Sequence, residues 1–247
     1  MTQIAYDMDA VGLFLDIDGT LLDIAAKPHE VVVPDELVAD LAALSKQLDG
    51  ALALVSGRTI ADIDSLFGSL RPRASGGHGA ELRANPGGHV ELATEPVPDT
   101  VREELEELAS RNKGVMVEDK GVCIAVHYRE EPTIGTALHL ELAAILDGLG
   151  DRTLGILPGR LVYEIKHVSH DKGTAVRAFM ATPPFHGRRP MFIGDDVTDQ
   201  AGFAAAQAAG GFAYSVGRDY PGVKRGFDTP ADVRAWIGAT VGKAEAA

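Results

Sequence analysis

The sequence predicts an α/β protein in which a parallel sheet with helices on both faces is interrupted by an inserted α+β domain. Two observations support this prediction. Short buried strands alternate with helices over residues 1–96 and again over residues 168–247, an order typical of parallel sheets. Over residues 97–167 the order changes to helix, strand, strand, and this unit occurs twice. We expect that insert to cover one face of its sheet with helices.

Composition and charge narrow the class of protein. The 247 residues are 45% hydrophobic and 24% charged, and no apolar run approaches the roughly 18 residues of a membrane span. The start, MTQIAYDMDA, has neither a basic end nor an apolar core, so we expect a cytoplasmic protein. One cysteine, Cys123, excludes an internal disulfide, and a net charge of −13 argues against nucleic-acid or membrane partners. We expect a small-molecule partner, with the oligomeric state open, a monomer included.

The first part of the core is predicted as alternating strands and helices. Four segments have strand patterns, namely GLFLDID, ALALVSGR, RASGGHGAEL and HVELA, the last two flanking the turn NPGG. The segment PDELVADLAALSKQLDG predicts a helix, because leucines recur at helical spacing from Leu37 to Leu48 and Gly50 follows as a stop. The segment TIADIDSLFG predicts a shorter helix with Thr59 as its N-cap.

The insert and the second part of the core follow in the same way. In the insert, the helix VREELEELASRNKG precedes strands VMVEDKG and VCIAVHYRE, and the helix TIGTALHLELAAILDGLG precedes strands LGILPGR and LVYEIKH. The core then resumes with DKGTAVRAFMA, PMFIGDD, TDQAGFAAAQAAG and GFAYSVG as helix, strand, helix and strand. The last helix, TPADVRAWIGATVG, is predicted to begin with Thr229 as N-cap, Pro230 in its first position and Asp232 completing a capping box.

Two aspartates one residue apart end the first buried strand. Asp16 and Asp18 follow the apolar run of GLFL, and the carboxyl ends of parallel strands are where such sheets bind ligands. Side chains two apart on a strand point the same way, so both would face one ligand if the strand continued that far. Carboxylates this close need a shared cation or proton. The pair predicts a metal site, a proton-transfer role or both, against the alternative of an ordinary Asp-Gly turn.

A second acidic cluster, FIGDDVTD, also ends a buried strand. It contains Asp195, Asp196 and Asp199. Helix capping would explain Asp199 but not the adjacent pair before it. Hard oxygen ligands in this number suit Mg²⁺, which also binds phosphate.

Two further segments carry groups suited to phosphate. Ser56 ends the strand of LVSGR, where its hydroxyl and the following backbone N–H groups could hold phosphate oxygens, with Arg58 nearby; a plain Ser-Gly turn is the alternative. Lys172 lies in the first turn of a predicted helix, where a cation opposes the helix dipole. A residue that breaks a local rule is a functional candidate, against the alternative of a solvated lysine.

These motifs, DIDGT, SGR, Lys172 and GDDVTD, resemble in type and order those of the haloacid dehalogenase (HAD) superfamily of phosphohydrolases. The resemblance implies a HAD-like Rossmannoid core over 1–96 and 168–247 and a cap domain, which determines substrate specificity, over 97–167. It implies the catalytic residues Asp16, Asp18, Ser56 and Lys172. It implies substrate contacts from Gly57 and Arg58. It implies an Mg²⁺ site formed by Asp16, Asp18, Asp195 and Asp196, with Asp199 in support.

The trehalose-6-phosphate phosphatase family is a closer resemblance, carried by GGHGAEL, VEDKG with HYRE, and GRLVYEI. It implies magnesium-dependent hydrolysis of trehalose 6-phosphate to trehalose and phosphate through an aspartyl-phosphate, as a step of trehalose biosynthesis. It implies sugar-phosphate contacts from His78, Glu81, Glu118, Lys120, Arg129 and Glu164. The sequence departs from the family pattern at Gln200, where Glu is usual, and lacks the Arg-Pro often found after Glu164.

Several alternatives stay open at this point. The same chemistry could serve sucrose phosphate, a mannosyl- or glucosyl-3-phosphoglycerate or a hexose phosphate. A cysteine phosphatase would use Cys123 and Arg129 as Cys-x5-Arg, although the intervening IAVHY is typical of a strand rather than a phosphate loop. A signalling phosphoacceptor domain combines similar groups, but its acidic pair precedes the acceptor aspartate. A binding module with an inactive core is the last alternative.

Overall fold

The computed structural model describes residues 8–24 and 31–245. The N-terminal residues 1–7, on which much of the expectation about secretion was based, lie outside them. The chain forms two compact units, one built from the residues up to Glu91 and from Asp171 onward, the other from Leu92 to His170. None of the described helices is long and apolar enough to cross a membrane.

Within the described residues, the first unit is built on an eight-stranded sheet. Its strands are β1 (Val11–Leu15), β2 (Leu52–Val55), β3 (Arg73–Gly76), β4 (Glu81–Arg83), β5 (Glu91–Leu92), β10 (Arg189–Gly194), β11 (Phe212–Val216) and β12 (Lys224–Phe227). They lie in the order β12-β11-β10-β1-β2-β3-β4-β5. The pairings from β12 to β3 are parallel, and β4 pairs antiparallel with β3. The predicted parallel sheet is confirmed.

Strand β1 is central because every one of its residues is apolar or glycine and buried. It pairs with β10 on one side and β2 on the other. The chain moves from β1 toward β3 in one direction and from β10 toward β12 in the other. The crevice between the carboxyl ends of β1 and β10 is therefore the point where the connections diverge, which is where open α/β sheets bind their ligands.

The described part of this unit contains five α-helices: α1 (Asp35–Gln47), α2 (Ile60–Phe67), α5 (Lys172–Met180), α6 (Gln200–Ala208) and α7 (Pro230–Glu245). Right-handed crossovers that run in opposite directions place α1 and α6 on opposite faces of the sheet. Helix α7 packs with α1, and α5 packs with α6. The predicted leucine stripe of α1 is buried at Leu37, Leu41 and Leu44. Helices on both faces follow from this arrangement.

The second unit has its own sheet and core. It consists of α3 (Asp99–Arg111), β6 (Met116–Asp119), β7 (Cys123–His127), α4 (Gly135–Leu149), β8 (Leu154–Gly159) and β9 (Val162–His167). Its sheet is antiparallel in the order β6-β7-β9-β8. Helices α3 and α4 pack together, and one core contains their buried leucines and the strand residues Ile124, Val126 and Ile165. The helix-strand-strand order predicted for the insert is confirmed.

Local predictions were confirmed at the helix starts and wrong in parts of the strands. Thr59 caps α2 in a capping box, and Thr229 exchanges hydrogen bonds with Asp232 at the start of α7. The first strand ends at Leu15, before both aspartates. The segment RASGGHGAEL folds back on itself through a short 3₁₀ turn, Gly77–Gly79, so that β4 runs antiparallel to β3. Strand β12 was not predicted, because its sequence, KRGF, lacks an apolar pattern.

Candidate active site

Asp16 lies immediately after β1, at the crevice beside β10. Its backbone N–H donates to the Ile193 carbonyl of β10, which extends the pairing of the two strands by one residue. The side chain is almost fully buried. Its Oδ1 accepts a hydrogen bond from Lys172 Nζ at 2.6 Å, and its Oδ2 accepts one from the Thr20 hydroxyl at 3.2 Å. One carboxylate is thus oriented by a cation and a hydroxyl at the carboxyl edge of the sheet.

Lys172 is the first residue of α5 and is also buried. Its ammonium group donates to Asp16 and, at 2.7 Å, to Asp199 Oδ1. Burial acts to lower the pKa of Lys172, but the two carboxylates outweigh it and raise the pKa above its ordinary value. Lys172 therefore stays charged at the start of a helix, where a cation is otherwise unfavourable.

Asp199 holds the second acidic segment in place. It ends a short 3₁₀ turn after β10, and its Oδ2 accepts the N–H groups of Asp195 and Asp196, each at 2.9 Å. Since Oδ1 accepts from Lys172, both carboxylate oxygens are engaged. A Cβ on Gly194 would lie 2.3 Å from the Asp199 carboxyl carbon, so this position has room only for glycine. Asp199 thereby connects the turn to Lys172.

Three buried carboxylates converge at the crevice. One oxygen from each of Asp16, Asp195 and Asp199 lies within 4.8 Å of the others. The Asp195 carboxylate rests on Gly19, which has φ of 82°, and a Cβ there would approach Asp195 Oδ2 to 2.2 Å. Burial and the neighbouring acids raise the pKa of Asp16 to about 7 and that of Asp195 to about 8. Such crowding is relieved by a cation, and the oxygen donors suit a hard divalent ion.

Asp18 and Arg58, both predicted site residues, are paired with each other. Arg58 donates from Nε and Nη2 to the two oxygens of Asp18, each at 2.6 Å. This two-bond geometry is the strong form of an ion pair. The Arg58 backbone N–H donates to Ser56 Oγ at 3.1 Å, which places the predicted hydroxyl beside the pair. Asp18 and Asp196 lie outside the three-carboxylate group.

His78 and Glu81 both contact the loop that follows β2. The His78 backbone, at φ of 54°, donates its N–H to the Ser56 carbonyl, and a Cβ on Gly57 would lie 2.4 Å from His78 Nε2. The imidazole therefore packs directly over Gly57. Glu81 accepts the N–H of Ile60, the first residue of α2, at 2.5 Å. Burial raises the pKa of Glu81.

The second unit brings together three of its four predicted residues. Lys120 Nζ lies 3.1 Å from Glu164 Oε1, and Glu118 shares the face of the sheet on which Glu164 lies, since both are paired with Ala125 of β7. Arg129 is exposed in the turn after β7, and no described contact joins it to the other three.

The Cys-x5-Arg alternative has no support in the structure. Cys123 is buried in strand β7, where successive backbone N–H groups point in alternate directions. A phosphate loop needs them directed at one centre.

Three contacts of the site were missed in the sequence. Thr20 donates to Asp16, and its place in the DIDGT motif could have indicated a role. Tyr220 donates its hydroxyl to the Asp195 carbonyl at 2.9 Å, and no local pattern indicates that contact. His127 lies 2.9 Å from Glu118. Glu118 pairs with Ala125, two residues before His127, so this contact could be predicted only if the register of β6 against β7 were known.

Comparisons of the sequence with known proteins point to one family. The model of the trehalose-phosphatase family matches residues 14–222. A probable trehalose-phosphate phosphatase of Sinorhizobium fredii is 42% identical over 225 residues, covering 90% of this chain and 83% of the relative. The trehalose-6-phosphate phosphatase of Escherichia coli is 36% identical over 225 residues, covering 91% and 84%.

Solved structures show the same fold. The C-terminal domain of Candida albicans trehalose-6-phosphate phosphatase superposes with a TM-score of 0.77 at 20% identity, covering 95% of this chain and 92% of that one. BT1666 of Bacteroides thetaiotaomicron, a phosphatase of the HAD superfamily, superposes with a TM-score of 0.57 at 17% identity, covering 94% of each chain. At these identities the likeness concerns the fold, and the HAD-like core with an α+β insert is confirmed.

Proposed function

The chain belongs to the trehalose-phosphatase family, and we propose that it hydrolyses trehalose 6-phosphate to trehalose and inorganic phosphate in trehalose biosynthesis. The observation that carries this proposal is the position of Asp16, a carboxylate at the divergence point of the sheet, held at 2.6 Å by the buried Lys172. Only the ionised form of Asp16 is a nucleophile, and the ion pair with Lys172 opposes the rise in the pKa of Asp16 that burial causes.

Asp16 attacks phosphorus in the first step. The new bond joins a carboxylate oxygen of Asp16 to phosphorus while the bond from phosphorus to the sugar oxygen breaks, leaving an aspartyl-phosphate. Lys172 and the Thr20 hydroxyl hold the carboxylate in position. In the second step a water oxygen bonds to phosphorus, the bond to Asp16 breaks, and phosphate leaves.

We assign the proton transfers to Asp18. It gives a proton to the departing sugar oxygen and takes one from the attacking water, so it ends the cycle as it began. In the structure Asp18 is held by Arg58 through two bonds. Because Arg58 donates to both oxygens of Asp18, this contact must open before Asp18 can reach the departing sugar oxygen.

We assign Asp16 and Asp195 to the metal ion, because Asp199 accepts from three donors, Lys172 and the N–H groups of Asp195 and Asp196, whereas Asp16 accepts from two. We propose that Mg²⁺ is the ion, with Asp18 contributing its backbone carbonyl and Asp196 completing the set. Bound there, Mg²⁺ would neutralise the charge of the carboxylates and of a phosphate oxygen. Ser56, Gly57, Arg58 and Lys172 are proposed to bind and stabilise the transferring phosphoryl group.

We propose that the first unit is the catalytic core and the second unit a cap that recognises the sugar. The proposed sugar contacts are His78, Glu81, Glu118, Lys120, Arg129 and Glu164. Carboxylate and ammonium groups suit sugar hydroxyls, which both donate and accept hydrogen bonds. The pairing of Lys120 with Glu164 supports this assignment, because the pair orders two such groups on one sheet face.

Phosphate release tests the proposal. The substrates are trehalose 6-phosphate, sucrose 6-phosphate, glucose 6-phosphate, and mannosyl- and glucosyl-3-phosphoglycerate, each with Mg²⁺ and with a chelator. We expect fast, magnesium-dependent release from trehalose 6-phosphate alone. Equal or faster release from another compound would refute the sugar assignment and keep the aspartate chemistry, whereas release that survives chelation would refute the metal assignment.

A further inference from the structure

The sheet of the second unit has one covered and one polar face. Ile124, Val126 and Ile165 point into the core formed with α3 and α4. Because side chains alternate along a strand, His127 of β7 and Glu118 of β6 point to the opposite face. The register pairs Glu118 with Ala125 and places His127 one same-face row farther along β7. Residues in this diagonal relation are within reach of long side chains.

His127 and Glu118 make a defined contact on that face. His127 Nε2 lies 2.9 Å from Glu118 Oε2. A carboxylate only accepts hydrogen bonds, so the imidazole donates its Nε2 proton. The hydrogen bond from His127 lowers the pKa of Glu118 despite partial burial, which keeps this carboxylate charged and able to accept.

The two carboxylates of this face differ in what they offer a ligand. The Glu164 side chain is 12% exposed and is bound by Lys120. The Glu118 side chain is 44% exposed, and among the described residues only His127 makes a hydrogen bond to it, through Oε2. Its Oε1 is thus the oxygen available for a hydroxyl group, in an orientation that depends on His127.

We propose that His127 is a positioning residue for sugar recognition, which fixes the Glu118 carboxylate so that Oε1 accepts a hydrogen bond from a hydroxyl of the substrate. This inference rests on the proposed function, because it concerns the sugar of the proposed substrate. His127 acts through Glu118 and does not itself bind the sugar. Its removal therefore affects sugar phosphates and not phosphate esters that lack a sugar.

Three variants of the full chain test this role: His127→Ala, His127→Gln and Met116→Ala. Glutamine keeps an N–H donor at a position similar to that of Nε2, whereas alanine removes it. Met116 is exposed and pairs directly with His127, so it is a matched control on the same row of the sheet. The readouts are kcat and KM for trehalose 6-phosphate and for para-nitrophenyl phosphate, which has no sugar.

We expect His127→Ala to lower the ratio of kcat/KM for the sugar phosphate to that for the aryl phosphate about tenfold, the scale of one hydrogen bond to a charged group. Most of the change should be in KM. His127→Gln should restore most of the ratio, and Met116→Ala should match the wild type.

Each other result would count against the inference. An unchanged ratio in His127→Ala would show no role in sugar recognition, and equal losses on both substrates would show a structural role. Failure of His127→Gln to recover would refute the donor argument. If the wild type cleaves the aryl phosphate but not trehalose 6-phosphate, both the proposed substrate and this inference are refuted. If the wild type cleaves trehalose 6-phosphate and His127→Ala does so equally well, only this inference is refuted.

Discussion

Lys172 determines the electrostatics of the site at the scale of single residues. It is a buried cation whose ammonium group contacts Asp16 and Asp199, which are both buried as well. Removing an ion from water costs several kcal/mol, and two close carboxylates offset that cost. The same contact leaves Asp16 with one fixed orientation, as an attacking carboxylate requires.

Replacing Asp16 by asparagine tests the nucleophile. Asp16→Asn should lower kcat for phosphate release at least about a thousandfold, since an amide oxygen cannot take over covalent catalysis. The fold should persist, because the amide has nearly the same size and Lys172 keeps Asp199 as a partner.

The matched control is Asp23→Asn, at an exposed carboxylate near the same strand. It should leave kcat unchanged. Circular dichroism and thermal unfolding of both variants would show whether the fold is intact. Full activity of Asp16→Asn would contradict the scheme.

Helix α5 shows at the scale of an element how the fold holds an unfavourable residue in place. Asp171 precedes the helix, and its side chain accepts the N–H of Thr174 at 2.7 Å, while Thr174 accepts the N–H of Asp171. This capping box provides hydrogen-bond acceptors for two backbone N–H groups at the helix start, and it fixes the first helical residue as Lys172. The cap therefore sets where the lysine meets Asp16.

Two variants that each remove a helix N-cap distinguish an effect on stability from an effect on catalysis. Asp171→Ala and Thr229→Ala each remove a capping side chain, at α5 and at α7, and each should lower the free energy of unfolding by about 1 kcal/mol. Only Asp171→Ala should also lower kcat, because only that cap positions Lys172. Urea unfolding and steady-state kinetics measure the two effects. Equal kcat in the two variants would show that the cap of α5 has no catalytic consequence.

The whole molecule combines two units, each with its own sheet and hydrophobic core. In the first unit, a cluster of acidic residues is buried at the carboxyl edge of the sheet, and this burial disfavours their charged forms. Burial raises the pKa of Asp16 and Asp195 from the ordinary 3.8 to about 7 and about 8. Between pH 3.8 and about pH 8, the folded protein without metal therefore binds more protons at these two groups than the unfolded chain does.

The pH dependence of stability follows from this difference. The contribution of these two groups is complete below pH 3.8 and is lost as the pH rises through about 7 to 8. With a chelator present, the midpoint of thermal unfolding should therefore be lower at pH 8.5 than at pH 6. Because Mg²⁺ must displace these protons, its affinity should rise with pH over the same range, by up to about tenfold per unit for each proton.

Thermal unfolding with chelator and with Mg²⁺, at both pH values, measures both effects. Asp195→Asn is the control, since removal of one acid should reduce the pH dependence. A midpoint in chelator that rises from pH 6 to pH 8.5, or an equal effect of Mg²⁺ at both, would contradict the argument.

The amino-acid sequence alone determined where strands end and where two helices begin. Apolar runs that end in Asp16, Ser56 and Asp195 predicted which residues lie at the carboxyl edge of the sheet, because local hydrophobic patterns set strand positions. Thr59 and Thr229 predicted helix starts in the same local way, because a cap contacts residues only two or three positions away.

Only the tertiary structure decided which groups meet. The pairing of Asp18 with Arg58, 40 residues apart, depends on the register of β1 against β2. The pairing of Lys172 with Asp16, 156 residues apart, depends on the packing of α5 beside α6. Likewise, His127 reaches Glu118 because of the register of β7 against β6. Local patterns specify which residues form an element, but contacts between distant residues are set by packing of the elements, which buries the apolar faces of all of them together.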